Sequence, residues 1–319
     1  MTARPHQPRR DDASSYYLSP LRYPGGKRRL ANFMKVACRL NDVLDGDYAE
    51  VYAGGASIAL ALLYGDYVRR IHINDLDPGI YAFWSAARDN TDELVGRVRT
   101  VPLTMDEWRN QRAVQMVSEP DPLDLAVSTF YLNRTNRSGI VRGGPIGGTA
   151  QGGAWGIGAR FNRDDLVRRI ERVGRHRSRI TIHQLDGAKF IESVASKLPK
   201  SSLVYLDPPY FVKGQQRLYA NYYGSDDHAD VARRVASLQT QWIVSYDNAP
   251  EITRLYQGFE SVTYDIAYSA NHRYVGQEVM FFSPGLVVPG VVHPPTLTAP
   301  ELANIERELR RRPVTVARS

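Results

Sequence analysis

Cysteine is nearly absent: Cys38 is the only one in 319 residues, which excludes an internal disulfide framework and a cysteine-rich zinc site. Long apolar runs are missing too. None approaches the roughly 18 residues that a membrane-spanning helix requires, so a membrane partner is not expected. Residues 1–17 carry Arg4, Arg9, Arg10 and two prolines but no apolar h-region, so they read as a loose basic arm and not as a signal peptide. With neither a disulfide framework nor an export signal, the chain reads as cytoplasmic. There is no internal repeat, and no metal site is expected.

What remains is an ordinary globular composition, 43% hydrophobic and 24% charged. The length suits one large α/β domain with an insertion, or two modest domains. The net charge is +7 and the pI about 9.4, compatible with a polyanionic partner. The distribution is more telling. Between Arg134 and Arg179 there are eleven arginines against three acids, Asp164, Asp165 and Glu171. Neutralising phosphates needs such a concentration, although a solvated, salt-bridged helix face would look the same.

Along the chain, short apolar strands alternate with helices. One block holds a strand near Tyr48–Tyr52, a helix over Ser57–Tyr64 and a strand at Arg70–Asn74. A second holds strands at Ile180–His183, Leu203–Leu206 and Trp242–Ser245, with helical runs at Ala188–Lys197 and His228–Leu238. This alternation predicts a doubly wound, mostly parallel α/β sheet, Rossmann-like. Val262–Ala267 and Glu278–Phe282 suit a closing antiparallel hairpin. Between the blocks, residues 105–135 look helical, with Trp108, Leu123, Leu125, Val127 and Phe130 as core candidates. Nine glycines between Gly139 and Gly158 then exclude a regular helix or strand and suggest a flexible or hairpin-forming region. The expected division is an arm (1–17), a catalytic core (18–104 and 179–285), an inserted helical and hairpin domain (105–178), and a Pro-rich linker leading to a short basic helix at Glu301–Arg312 (286–319).

The sharpest motif is Asp207-Pro208-Pro209-Tyr210, directly after the apolar strand Leu203–Leu206. The carboxyl end of such a strand faces the ligand crevice. The tetrapeptide suits activation of the 6-amino group of adenine, whose lone pair is delocalised into the ring. A carboxylate accepting one amino hydrogen and a rigid carbonyl accepting the other would draw the nitrogen toward tetrahedral geometry. Prolines fix the backbone without competing N–H donors, and the aromatic ring offers an extruded base a face. An ordinary strand-to-turn junction is the plain alternative.

A second motif, Glu50-Val51-Tyr52-Ala53-Gly54-Gly55-Ala56-Ser57, runs from strand into helix. Its small residues would let a nucleotide-like ligand approach the backbone, although it is not the full dinucleotide fingerprint. Asp75, twenty positions after Gly55 at the next strand end, suits both ribose hydroxyls of such a ligand; a helix N-cap is the alternative. Upstream, Tyr23-Pro24-Gly25-Gly26-Lys27 is not a P-loop. It would bring Lys27 toward a carboxylate and Tyr23 over an apolar ligand. Asp186, after the strand Ile180–His183, would meet an adenine ring.

In their linear order these four motifs resemble the Dam-like DNA adenine methyltransferases, over about Leu21–Ser283. The resemblance implies S-adenosylmethionine as cofactor, bordered by Tyr23, Lys27, Asp75 and Asp207; Gly26, Glu50, Tyr52, Gly54 and Gly55 of the same motifs, and Asp186 by its place after a strand, complete the expected cofactor site. It implies catalysis by Asp207, Pro208, Pro209 and Tyr210, and double-stranded DNA as the partner. Residues 105–178 become a target-recognition domain. Tyr131-Leu132-Asn133-Arg134 resembles the entry to the family's recognition hairpin, which makes Arg134, Asn136, Arg137 and Arg142 the candidate DNA contacts. Arginine reads guanine and asparagine reads adenine, so the last three are candidate readers. The arginines from Arg160 onward are the expected phosphate contacts.

Departures are few. Tyr23 replaces a common tryptophan, Tyr52 a common phenylalanine, and the glycine-rich stretch is longer than in the simplest members. The tail after Gly285 has no usable counterpart. No residue specifies the recognition sequence or a cognate restriction or defence-system protein. Two other readings are an RNA adenine or protein glutamine amino-methyltransferase, which usually carries asparagine in place of Asp207, and a non-catalytic DNA-binding module on the same scaffold.

Overall fold

Apolar and β-branched runs supply the strands, and alternation of their side chains splits the core between two faces of one sheet. A computed structural model describes residues 18–23, 27–211, 223–268, 274–291 and 293–311. The basic arm and Pro24, Gly25 and Gly26 therefore lie outside the described residues.

The strands are β1 (Asp47–Glu50), β2 (Arg70–Asn74), β3 (Ile180–His183), β4 (Leu203–Leu206), β5 (Gln241–Asp247), β6 (Glu260–Tyr268) and β7 (Tyr274–Phe282). They form a seven-stranded sheet in the order β3-β2-β1-β4-β5-β7-β6. Pairing is parallel from β3 to β5, and β7 enters antiparallel against both β5 and β6. This is the expected doubly wound α/β sheet with its closing hairpin.

One face of the sheet packs Tyr48, Leu203, Tyr205, Ile243 and Phe282 into one core, and the alternating Ala49, Val204, Leu206, Trp242 and Phe281 face the other. Helices α8 (Gly187–Ser193), α9 (Ser225–Ala236) and α10 (Pro250–Leu255) cover the second face with Phe190, Val231 and Ile252. The first face carries α1 (Ala31–Leu40) and α2 (Ser57–Tyr64), whose buried residues belong to its core.

After β2 the chain adds no further strand until β3. It builds α3 (Pro78–Asp89), α4 (Thr91–Thr100), α5 (Met105–Val114), α6 (Pro122–Thr135) and α7 (Arg163–Arg175). Asp77 and Asp121 cap α3 and α6, each with proline at the first helical position. The insertion shares the main core: Phe83 of α3 stacks on Phe130 of α6 at 5.5 Å, and Phe161 meets Phe130 edge-on. Helix α6 is buried from Ala126 through Thr135.

The glycine-rich segment is an anchored loop. Asn136 and Pro145 form a β-bridge, and Arg137 N–H donates to the Gly144 carbonyl at 3.0 Å. The Gln151 amide donates to the carbonyls of Ile146 (2.8 Å) and Gly148 (2.7 Å) and accepts from Ile157 N–H. The Pro-rich tail differs from a free linker. Asn41 exchanges two hydrogen bonds with the Val287 backbone, at 2.9 and 2.7 Å, and Leu297 and Leu302 bury against Val36 of α1. Helix α11 (Ala299–Arg311) is thereby docked. No helix among the described residues is long and apolar enough to cross a membrane.

Candidate active site

The order of the sheet reverses between β1 and β4, and a crevice is expected at the carboxyl ends of strands flanking such a reversal. Glu50 pairs with Tyr205 in register, so the Tyr52–Gly55 turn and Asp207 leave the sheet side by side. They border a cavity of about 1230 Å³. Its lining includes Tyr23, Glu50, Tyr52, Asp75, Asp207 and Tyr210, and also Arg22, Arg28, Arg29, Lys35 and Arg160. A continuous space thus joins the strand ends to a basic surface.

At the end of β4, Lys27 Nζ lies 2.9 Å from Asp207 Oδ1 and 2.8 Å from Glu278 Oε2, and donates to Ser245 Oγ at 3.1 Å. Ser245 Oγ in turn donates to Asp207 Oδ1 at 3.2 Å and is bonded to the Tyr205 hydroxyl at 2.7 Å. One oxygen of Asp207 is therefore held twice, while Oδ2 has no protein partner among the described residues. Burial raises the Asp207 carboxyl above its ordinary range; Lys27 pulls it down and Glu278 adds to the rise. Burial would also strip the Lys27 proton, but Asp207 and the surrounding tyrosines hold that group well above the usual lysine range. Pro208 is buried, and the Tyr210 hydroxyl donates to Glu278 Oε1 at 3.0 Å. Lys27 lies 5.7 Å from the Tyr210 ring centroid, so a cation already faces that ring.

Around the first turn, Asp75 Oδ2 accepts from Gly54 N–H at 2.8 Å and Oδ1 from Asp77 N–H at 3.0 Å. Burial pushes its carboxyl up to about 6 against these two bonds. Asn74 holds three strand ends together, donating to the carbonyls of Val51 and Leu185 and accepting from Leu185 N–H, each at 2.9 Å. Gly54 has φ +46°, and a Cβ there would come within 2.7 Å of the Tyr23 ring. Only glycine lets that ring lie on the turn. The ring itself stays 47% exposed, available to a ligand. Glu50 Oε1 accepts from Ala59 N–H (2.9 Å) and the Tyr48 hydroxyl (3.2 Å), so it caps α2 from the end of β1. This is needed because Ala56 provides no side-chain cap. Burial pushes the Glu50 carboxyl up to about 8.

These residues fit an adenosyl ligand bearing a cationic centre. The turn is glycine-lined, aromatic rings border the cavity, and carboxylates sit at three strand ends, Glu50 buried and Asp75 and Asp207 half-buried. Asp186 departs from expectation. Its Oδ1 accepts from Ala188 N–H at the start of α8 and its Oδ2 from the Tyr223 hydroxyl at 3.0 Å, while Leu185 and Gly187 line the cavity instead. It is a helix cap. Gly26 lies outside the described residues.

The insertion sorts its four candidate DNA contacts into two pairs. Arg134 is 7% exposed, and its guanidinium donates to the Pro20 carbonyl through Nε (2.7 Å) and Nη2. Burial, with Arg169 and Arg22 nearby, pushes it down to about 9. Asn136 is 0% exposed; it accepts from Trp108 Nε1 at 2.7 Å and donates to the carbonyls of Ile140 and Val141. Both expectations are corrected: at the buried end of α6 the Arg134 guanidinium is spent on Pro20 and the Asn136 amide on contacts within the insertion. Arg137 and Arg142 are exposed, as expected of readers.

The later arginines divide likewise. Arg163 donates to the carbonyls of Val98 and Val101, Arg172 lies 4.0 Å over the Tyr64 ring, and Arg179 binds Asp66 and two carbonyls. Arg169 binds Asp165 and the Ser19 carbonyl, which corrects its expected role as a phosphate contact. Arg160, Arg168, Arg175 and Arg177 stay exposed. The glycine-rich loop also carries Trp155, 68% exposed.

Sequence reading missed Glu278, Ser245, Asn74 and Asn133. The last accepts from Arg22 N–H and donates to the Arg22 carbonyl, both at 2.7 Å. Gly139, at φ +77° with a Cβ position 2.6 Å from that carbonyl, makes room for the contact, so α6 helps to seat Tyr23. Glu278 did leave a sign, as an acid opening the apolar run Val279–Phe282. No cluster of metal-ligating side chains occurs among the described residues.

Residues 23–269 match the family model for D12 class N6 adenine-specific DNA methyltransferases. Curated protein sequences yield no match. Among solved structures, the rRNA methyltransferase aviRa from Streptomyces viridochromogenes is 12% identical, with 88% of this chain and 97% of that one covered and a TM-score of 0.40. Precorrin-6y C5,15-methyltransferase from Geobacter metallireducens is 10% identical, with 78% and 86% covered and a TM-score of 0.31. At these values neither likeness bears on the substrate.

Proposed function

The chain belongs to the D12 class of N6 adenine-specific DNA methyltransferases, and from that premise we propose that it methylates adenine at a defined site in duplex DNA, with the target base swung out of the helix. Its methyl donor is S-adenosylmethionine, the cofactor of that family. When bound, this cofactor supplies an electrophilic methyl group on a sulfonium.

The observation that carries the reading is the asymmetry of Asp207. Lys27 and Ser245 hold Oδ1, and Oδ2 has no partner among the described residues. A carboxylate gripped on one side presents its other oxygen in a set direction. Asp207 Oδ2 accepts one hydrogen of the adenine amine, and a carbonyl of the rigid Asp207-Pro208-Pro209 run accepts the second. The nitrogen lone pair is thereby drawn out of conjugation. Transfer of the methyl group to this nitrogen would break the methyl–sulfur bond, leave a neutral thioether and oblige the nitrogen to shed one proton, and the raised basicity of Asp207 suits it to receive that proton and pass it to solvent. Tyr210 stacks on the base, and Asp75, Glu50, Tyr52 and Tyr23 border the cofactor.

An amine buried in a base stack cannot reach a crevice at the strand ends, which is the reason for extrusion. A nucleic-acid partner is favoured by the exposed Arg137, Arg142, Arg160 and Arg168 and by Trp155 among them, since basic surfaces with exposed aromatics suit nucleic acid, and the family points to DNA. The test offers labelled S-adenosylmethionine with duplex DNA, RNA and peptides, followed by sequencing that reports modified bases. The expected product is N6-methyladenine in one sequence context of duplex DNA. Label in RNA or peptide alone would replace this reading.

A further inference from the structure

Glu278 reaches the end of β4 from the neighbouring hairpin. It is 0% exposed and does not line the cavity, so it does not touch what binds there. Burying a carboxylate costs several kcal/mol unless it is well partnered. Here the partners are Lys27 Nζ at 2.8 Å, the Tyr264 hydroxyl at 2.7 Å and the Tyr210 hydroxyl at 3.0 Å. Two of these belong to the catalytic cluster.

An ammonium has three N–H donors, and those of Lys27 go to Asp207, Glu278 and Ser245. A bare Lys27–Asp207 pair leaves the ammonium free to follow the carboxylate. With Glu278 on its far side, Nζ has one position, and Asp207 Oδ1 is oriented against it. The same carboxylate fixes the Tyr210 hydroxyl, so one buried group sets both an oxygen and a ring.

We propose that Glu278 is a positioning residue for methyl transfer, holding Lys27 and Tyr210 together so that Asp207 Oδ2 and the Tyr210 ring meet the target base in one fixed arrangement. The inference rests on reading Asp207 as the acceptor of the target amine. The charged and titratable groups around the cluster are Lys27, Tyr205 and Asp207 at β4, Tyr210 beyond it, Tyr264 on β6 and Glu50 on β1.

Glu278→Gln tests it, because the amide keeps the size and polar atoms and removes the charge. The melting temperature and the dissociation constant for S-adenosylmethionine should stay close to wild type. Single-turnover methyl transfer should fall roughly 10- to 100-fold, the cost of a small misplacement of reacting groups. The acid limb of the pH–rate profile should move to lower pH, since Glu278 no longer opposes ionisation of Asp207 while Lys27 still favours it. In the cofactor-free protein, the carboxyl ¹³C titration of Asp207 should move the same way. A role in packing alone would lower stability and leave limb and titration in place, and that result overturns the proposal. An active wild type whose Glu278→Gln variant matches it in rate and pH profile overturns it too. A wild type that methylates no duplex DNA sinks the reading of Asp207 first, and this inference with it.

Discussion

Lys27, Asp207 and Glu278 meet at the carboxyl edge of the sheet, largely shielded from solvent, whereas the eleven arginines of residues 134–179 spread over an insertion and end in unlike surroundings. In the first region each charge answers a neighbouring charge, and what remains is one carboxylate oxygen turned toward a cavity. In the second, Arg134, Arg163, Arg169, Arg172 and Arg179 are engaged within the protein, and the other six are exposed. A run of one residue type thus says little about role. Burial at each position sorts the run into internal struts and exposed side chains.

Asp207→Ala should widen this contrast most. Removing a group that acts in the transition state typically costs about 3 kcal/mol or more, roughly a hundredfold in rate. The fold should persist, because Lys27 keeps Glu278 and Ser245. Single-turnover kinetics beside thermal unfolding give the answer, and a collapse in melting temperature would recast Asp207 as a strut.

Tyr210→Ala should come next, with the loss of base–aromatic stacking worth about 1–3 kcal/mol. Tyr210→Phe keeps the ring and forfeits the hydroxyl's bond to Glu278, so it should lose less. A duplex carrying 2-aminopurine at the target position should brighten with wild type and with Tyr210→Phe, and less with Tyr210→Ala. No brightening with a wild type that methylates normal DNA would remove extrusion from the account.

The insertion itself is tested by a pair of substitutions. Arg134→Ala leaves the Pro20 carbonyl without its charged donor and should destabilise by about 1–3 kcal/mol, with the salt dependence of DNA binding unchanged. Arg137→Ala should leave the melting temperature alone and relax discrimination at one base by about 1–3 kcal/mol. If the two variants exchange outcomes, the division into strut and contact is wrong. The smallest effect belongs to Arg168→Ala, whose side chain is 65% exposed. It should weaken all DNA alike and flatten the log–log salt slope by about one.

What could be read along the chain is what is local in it. The Glu50–Ser57 turn, Asp75 and the Asp207–Tyr210 run each follow an apolar strand, and strand ends of a doubly wound sheet converge by topology, so adjacency to a strand was enough to gather them. Where local pattern and tertiary surroundings disagreed, the surroundings decided. Asn136 has the residue type of an adenine reader, yet helix α6 is enclosed to its last turn and its amide is spent on Trp108, Ile140 and Val141. Asp186 follows a strand as Asp75 does, but Ala188 N–H and the Tyr223 hydroxyl take both its oxygens. Glu278 could not be found by spacing at all. It meets Lys27 across 251 positions, because β7 enters the sheet beside β5 and carries its one buried acid to the place where Lys27 needs a second carboxylate. Periodicity and motif spacing record which residues a strand delivers to its end; only the packed sheet decides which distant charge is waiting there.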